Sequence, residues 1–268
     1  MSRPTIGVLI RFKNSAATLP HVLQRLQAQT IRPLFILGVD TGSTDDSARL
    51  ISKTGGRVIA WNGPYHHARV LNHGLRHLHT DLVLVLSSHT TLEDDDAVER
   101  MLGAFTDPRV ACVSARWDDD PFYSDAITWD ELWAKGLKFG SIYSNSMGML
   151  RRKAWTTAPF DESLVTAEDY AWAIEQLKRG GICKRLHLRF GYERSGHDRT
   201  FEFAQLVFQF ARRYKLRVAW LGALRSMQQM LTAVFMCRPD SAPPALHYDR
   251  LKAWAAMRFT AASSFSVR

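Results

Sequence analysis

The sequence predicts an α/β fold: a mixed, mainly parallel sheet with helices on both faces, followed by a helical C-terminal appendage. From Ile6 to Ala115, short apolar runs alternate with stretches whose apolar residues recur at helical spacing. That strand–helix–strand order implies a parallel sheet. One run, Ile36-Leu37-Gly38-Val39, ends on Asp40 and a Gly42-Ser43-Thr44 turn. Ligands in open α/β sheets bind at such strand ends.

Each element follows from its own pattern. Ile6–Ile10 is continuously apolar, as a strand buried on both faces must be. Leu19, Val22, Leu23 and Leu26 mark a first helix. Phe35–Val39 is the second strand, Asp45–Lys53 a helix, and Arg57–Trp61 a third strand after Gly55-Gly56. Ala68–Leu78 is helical and Leu82–Leu86 the fourth strand. A helix is expected over Asp94–Phe105, opened by Asp94-Asp95-Asp96, and a fifth strand over Val110–Ala115. Trp117–Lys138 is rich in acids and aromatics and is expected to be a loop followed by a helix. Ile142–Leu150 is expected to be an edge or antiparallel strand. Ala167–Arg179 is a helix stopped by Gly180-Gly181, and Ile182–Leu188 is a strand. From Arg199 the chain is helical, broken at Pro239–Pro244. The division expected is a main domain over 1–213 and an appendage over 214–268.

The 268 residues carry a formal net charge of +9, which suits an anionic partner. Nucleic acid is not expected, because no recognition motif is present and the basic residues are spread along the chain. Cys112, Cys183 and Cys237 fit neither a metal spacing nor a disulfide framework, so a cytoplasmic protein is expected. The N-terminus has no signal-peptide pattern, and no stretch reaches the roughly 18 uninterrupted apolar residues of a membrane span. Leu216–Met236, preceded by Arg212, Arg213 and Lys215, has the composition of an interfacial helix at an anionic membrane surface or of an ordinary core helix.

Two chemistries are set aside. Gly42-Ser43-Thr44 has no lysine before its hydroxyls, so it is not a P-loop. Ser144-Asn145-Ser146-Met147-Gly148 lacks the first glycine of the hydrolase nucleophile elbow. Asp40 has two readings. Its carboxylate accepts hydrogen bonds and cannot donate them, which suits the N3–H of uracil or thymine, or the N1–H of guanine, and opposes cytosine. Equally, it caps the turn that follows.

Four segments together resemble the family 2 glycosyltransferases, inverting enzymes of GT-A fold, from about Thr5 to Arg213. Ile10-Arg11-Phe12-Lys13-Asn14 corresponds to the family's first strand and turn, where Arg11 departs from the usual proline. Gln29-Thr30 followed by Val39-Asp40-Thr41-Gly42-Ser43-Thr44-Asp45 corresponds to Gln-Thr and Val-Asp-Asp-Gly-Ser-Thr-Asp. Arg69-Val70-Leu71-Asn72-His73-Gly74 corresponds to Arg-x-x-Asn-x-Gly, and Glu168-Asp169-Tyr170 to the acid pair that carries the base.

The resemblance implies transfer of a sugar from a nucleoside-diphosphate sugar to an acceptor hydroxyl with inversion, in polysaccharide or glycolipid synthesis. It implies Asp169 as base, with Glu168 beside it, and donor contacts from Arg11, Asn14, Asp40, Arg69 and Ser87. An ordinary aspartate has a pKa of about 3.9 and is a weak base for an alcohol. The family's Asp-x-Asp is replaced by Ser87-Ser88-His89, so a divalent cation, Mn²⁺ or Mg²⁺, is expected on His89 with His197 as second ligand. The donor expected is a UDP- or dTDP-sugar and the acceptor a glycan or lipid-linked glycan, at the inner face of the membrane. The competing readings are a non-catalytic nucleotide-sugar or glycan binder that has lost its metal site, and a nucleotidyltransferase. The latter needs a phosphate loop that Lys13-Asn14-Ser15-Ala16-Ala17 does not provide.

Overall fold

A computed structural model of the chain describes residues 3–33, 35–116, 121–138, 142–164, 166–192, 206 and 209–217. They fall into two compact units: 1–129 with 140–195, and 130–139 with the chain from 196 onward.

The first unit opens with β1 (Ile6–Phe12), α1 (Leu19–Gln27), β2 (Phe35–Asp40), α2 (Ser47–Lys53), β3 (Arg57–Ala60), α3 (His67–Arg76) and β4 (Leu82–Ser87). Then come β5 (Thr90–Leu92), α4 (Ala97–Gly103), a 3-10 turn over Ala104–Thr106, β6 (Val110–Ala115) and β7 (Ala126–Ile127). The helix α5 (Trp129–Lys135) runs across the division between units. The first unit resumes with β8 (Met147–Arg151), α6 (Arg152–Thr157), α7 (Glu168–Lys178), β9 (Ile182–Leu186) and β10 (Phe190–Tyr192). The eight-stranded sheet has the order β3-β2-β1-β4-β8-β6-β9-β7, and β5 pairs with β10 in a separate two-stranded ribbon.

The apolar runs explain the sheet. In β4 every residue of Leu-Val-Leu-Val-Leu-Ser is buried, as a strand covered on both faces requires. Successive side chains alternate in direction. Val8 and Ile10 pack in one core with Leu19, Val22 and Leu26 of α1 and Val98 and Met101 of α4. Leu9 points the other way, toward α3. There a Cβ on Gly74 would lie 2.4 Å from Leu9 Cδ1 and 2.9 Å from a Val39 methyl, so glycine is needed for α3 to approach the sheet. Asn72, one turn earlier, is 1% exposed. Its Nδ2 donates to the Phe160 carbonyl and to Glu162, and its Oδ1 accepts from Trp155 Nε1 and Phe160 N. Gln29 similarly binds the Asp94 carbonyl and receives the amide of Val98, tying α1 to the start of α4.

Several expectations are refined. The expected edge or antiparallel strand over Ile142–Leu150 is antiparallel, but β8 lies inside the sheet, between β4 and β6. The helix expected from Asp94 begins at Ala97. Asp94 is instead drawn outward to the backbone and guanidinium of Arg189. The short β5, β7, β10 and α6 were not legible, because so few residues carry no periodicity.

In the second unit, Gly136 takes φ +83, and Leu137 N donates to the Arg217 carbonyl across 2.7 Å. The Arg217 guanidinium returns to the Ala134 carbonyl. Only 214–217 of the expected appendage, and only Leu216 and Arg217 of the expected interfacial helix, are among the described residues. No helix among the described residues is long and apolar enough to cross a membrane.

Candidate active site

Strand register gathers the expected residues at one end of the sheet. Phe12 pairs with Asp40 on one side of β1, and Arg11 with Ser87 on the other. The antiparallel β8 begins at the same end: Leu86 pairs with Met147, and Ser87 N donates to the Ser146 carbonyl. The Ser144–Ser146 segment therefore enters beside the end of β4.

Two loops are locked together here. Asn14, at φ 48, accepts from Thr44 N through Oδ1 and donates its own amide to the Ser43 hydroxyl oxygen. Asp45 accepts from Ala16 N and from Ser47. These bonds hold the Asp45 carboxyl below the usual carboxylate range, the Ser47 hydroxyl being the largest contributor. Ser15 meets Ser88 hydroxyl to hydroxyl at 2.9 Å, and the Thr18 hydroxyl donates to the Ser88 carbonyl. Most polar residues of the two loop motifs thus bind each other.

Asp40 caps its turn: Oδ1 accepts from Gly42 N at 3.1 Å and Ser43 N at 2.8 Å. Gly42 takes φ +98, a conformation that favours glycine. The carboxylate is half-buried at the strand end, and Oδ2 receives no hydrogen bond among the described residues.

The acid pair opens α7. Ala167 before it sits at φ 59, a left-handed conformation that costs a non-glycine residue energy and turns the chain so that both acids face the sheet end. Glu168 is 4% exposed. Its Oε1 lies 3.8 Å from Arg11 Nη1 and accepts from Asn145 Nδ2 at 3.3 Å. Asp169 Oδ2 accepts from Asn145 N at 2.9 Å, and Oδ1 from Tyr170 N at 2.8 Å. Burial, and then the charge of Glu168, push the Asp169 carboxyl up to about 7; the two amide donors and Arg11 pull the other way. The expectation of an ordinary, weakly basic aspartate is thereby corrected. Two acids thus stand side by side, Glu168 facing the Arg11 guanidinium and Asp169 raised toward neutrality.

Arg11 faces this pair. Its Nη1 donates to His67 Nδ1 at 2.6 Å; a guanidinium can only donate, so that nitrogen is the acceptor. Arg69 is 52% exposed at its side chain, and its Nε lies 3.7 Å from Glu162 Oε2. Ser87 Oγ lies within hydrogen-bond reach of His89, whose ring stands edge-on to Tyr192 at the β5–β10 ribbon. Asn145 was not singled out for this role from sequence. The signal was there, in a Ser-Asn-Ser run just before an antiparallel strand, but only β8's central position gives it meaning. The expected ligand His197 and the acids Asp118–Asp120 lie outside the described residues. Among the described residues no three His, Cys, Asp or Glu cluster as a metal site, and the Asp94–Asp96 run is engaged with Arg25, Arg100 and Arg189.

Residues 7–160 match the family model described as glycosyl transferase family 2. The chain belongs to glycosyl transferase family 2. Two curated relatives are O-antigen chain rhamnosyltransferases. That of Salmonella typhimurium is 25% identical over 194 residues, 65% of this chain and 62% of its own length. That of Salmonella anatum is 25% identical over 171 residues, 58% of this chain and 54% of its own length. The chain thus spans less than two thirds of either relative. Among solved structures, Mycobacterium tuberculosis glucosyl-3-phosphoglycerate synthase, in complex with Mn²⁺, UDP and glucosyl-3-phosphoglycerate, superimposes with a TM-score of 0.60 at 18% identity. The match covers 78% of this chain and 80% of that one. The Pyrobaculum calidifontis mannosyltransferase in complex with GDP-Man and Mn²⁺ gives 0.58 at 16% identity, over 100% and 77%. S. aureus TarS 1-349 with UDP gives 0.57 at 16%, over 76% and 64%. At these identities the likeness is one of fold. The mixed, mainly parallel sheet of this family 2 chain is that of the GT-A glycosyltransferases.

Proposed function

We propose that this chain is an inverting glycosyltransferase that moves a sugar from a nucleoside-diphosphate donor to a hydroxyl of a glycan or lipid-linked glycan. The observation that carries the reading is Asp169: a half-buried carboxylate fixed by two amides and raised to about 7, beside a second acid that faces the Arg11 guanidinium. A base poised near the working pH takes a hydroxyl proton far better than an ordinary aspartate. As Asp169 takes the proton, the acceptor oxygen bonds to the anomeric carbon from the face opposite the diphosphate. The old glycosidic bond breaks, and its electron pair leaves on the phosphate oxygen.

Asp40 is the residue for the donor base, its Oδ2 suited to uracil or thymine. Arg69, at the exposed N-terminal turn of α3, is the candidate for the diphosphate, and Ser87 and the loop shaped by Asn14 form the floor. His89 offers an imidazole at the end of β4, a donor that suits Mn²⁺ better than Mg²⁺. A cation there would be held by His89 and the donor phosphates, and would offset charge on the leaving diphosphate. The names of the two relatives support a rhamnose donor and a place in O-antigen-like polysaccharide synthesis. The basic residues before Leu216–Met236 and the composition of that segment support contact with an anionic membrane surface.

The test is a panel of nucleotide-sugars, dTDP-rhamnose among them, scored for thermal stabilisation and for release of free nucleoside diphosphate. Stabilisation by a UDP- or dTDP-sugar, with nucleoside diphosphate released on adding a glycan acceptor, is expected. Stabilisation without turnover on any acceptor would make the chain a binder.

A further inference from the structure

Resting on the reading of Asp169 as base, we propose that Arg11 and Asn145 fix the Glu168 carboxyl in place, and that Glu168 is a positioning residue for Asp169 rather than a second base. The two donors approach one oxygen of Glu168 from different elements: Arg11 Nη1 from β1 at 3.8 Å and Asn145 Nδ2 from the entry to β8 at 3.3 Å. At 4% exposure the carboxyl group has little water to satisfy it, so these two groups are what hold it in place. Asn145 joins the two acids, since its backbone amide binds Asp169 Oδ2 while its side chain binds Glu168. Moving Glu168 therefore moves the segment that aims Asp169.

The electrostatics agree with the geometry. Glu168 faces Asp169 from the same helix, and Arg11 faces it from β1 with His67 behind. Tyr143 and Asn145 face it from the segment before β8. Beyond Tyr143 stand Cys112 and Cys183 of β6 and β9. Burial pushes Tyr143 and Cys112 well above their ordinary values, so both are neutral near pH 7. Glu168 and Arg11 are left as the charges that act on Asp169, with opposite signs.

Opposite signs make the proposal testable without a substrate. Carboxyl-carbon NMR on the full-length protein labelled at Asp and Glu follows each acid, with the Asp169 resonance assigned by its loss in Asp169→Asn. Glu168→Gln should lower the Asp169 midpoint by about one pH unit, and Arg11→Gln should raise it by about as much. Arg11→Lys, which keeps the charge, should return it toward the wild-type value. Unchanged midpoints, or shifts of the same sign in both variants, overturn the proposal. If Glu168→Gln does not fold, as judged by thermal unfolding, the Arg11→Gln and Arg11→Lys pair decides alone. Turnover separates this proposal from the reading beneath it. Glu168→Gln should keep measurable nucleoside diphosphate release with donor KM within twofold, while Asp169→Asn loses it. Abolished turnover in folded Glu168→Gln makes Glu168 the base and overturns the proposal. Wild-type turnover in Asp169→Asn overturns the reading of Asp169 whatever the titrations show.

Discussion

The backbone amide of Asn145 donates to Oδ2 of Asp169 across 2.9 Å, joining the entry of β8 to the first turn of α7. Residues 24 apart in sequence thereby share one short bond. The bond leaves the carboxylate with a fixed orientation, and burial leaves it with a raised proton affinity.

Asp169→Asn should cut transfer by about 10²–10⁴-fold, the usual contribution of a positioned base, with donor affinity nearly unchanged. The rate of the wild type should rise with pH through about 7 as Asp169 ionises. Steady-state kinetics over pH 5 to about 9 check both.

The same substitution should stabilise the fold at neutral and higher pH. The folded-state value of Asp169 lies above the ordinary carboxylate value of 3.8. The unfolded chain therefore ionises first as pH rises, and stability is lost between that value and about 7, then stays level. Asn cannot ionise and carries no such cost. Thermal unfolding should show Asp169→Asn gaining Tm over wild type at pH 8 and losing most of that gain at pH 4.

Asp40→Asn should weaken uracil or thymine nucleotides without disturbing the turn. Its Oδ1 can still accept from Gly42 and Ser43, while the amide nitrogen opposes the N3–H of the base. Asp40→Ala removes both functions and should also cost roughly 1–2 kcal/mol of stability for the lost turn bonds. Calorimetry with UDP and CDP, alongside thermal unfolding, separates the two; equal affinity of wild type for both nucleotides would contradict the base assignment.

His89 should make activity depend on a divalent cation, Mn²⁺ above Mg²⁺. His89→Ala should lose the metal stimulation and His89→Asp should keep it with a shift toward Mg²⁺. Full activity in excess chelator, equal in wild type and His89→Ala, would show the reaction to be metal-independent.

The sequence by itself determined the order of the main elements and the positions of the acid-bearing motifs. Burial on both faces forces continuous apolar runs such as Leu82–Leu86, and a helix against a sheet forces a periodicity of 3.6, so both are written locally. It did not determine what the motif residues do. Asn72 and Gln29 belong to the motifs that carry the family resemblance and are internal ties, satisfied by Trp155, Phe160, Glu162 and Val98. Asn14 and Asp45 bind the loop opposite them. Asn145, by contrast, sat in a rejected motif and holds both acids. The tertiary structure decided these roles because hydrogen-bond partners and desolvation depend on what lies across space. The insertion of β8 between β4 and β6, which no local pattern encodes, is what carries Asn145 to Asp169 and fixes the carboxylate's orientation, while burial raises it to about 7 against that bond.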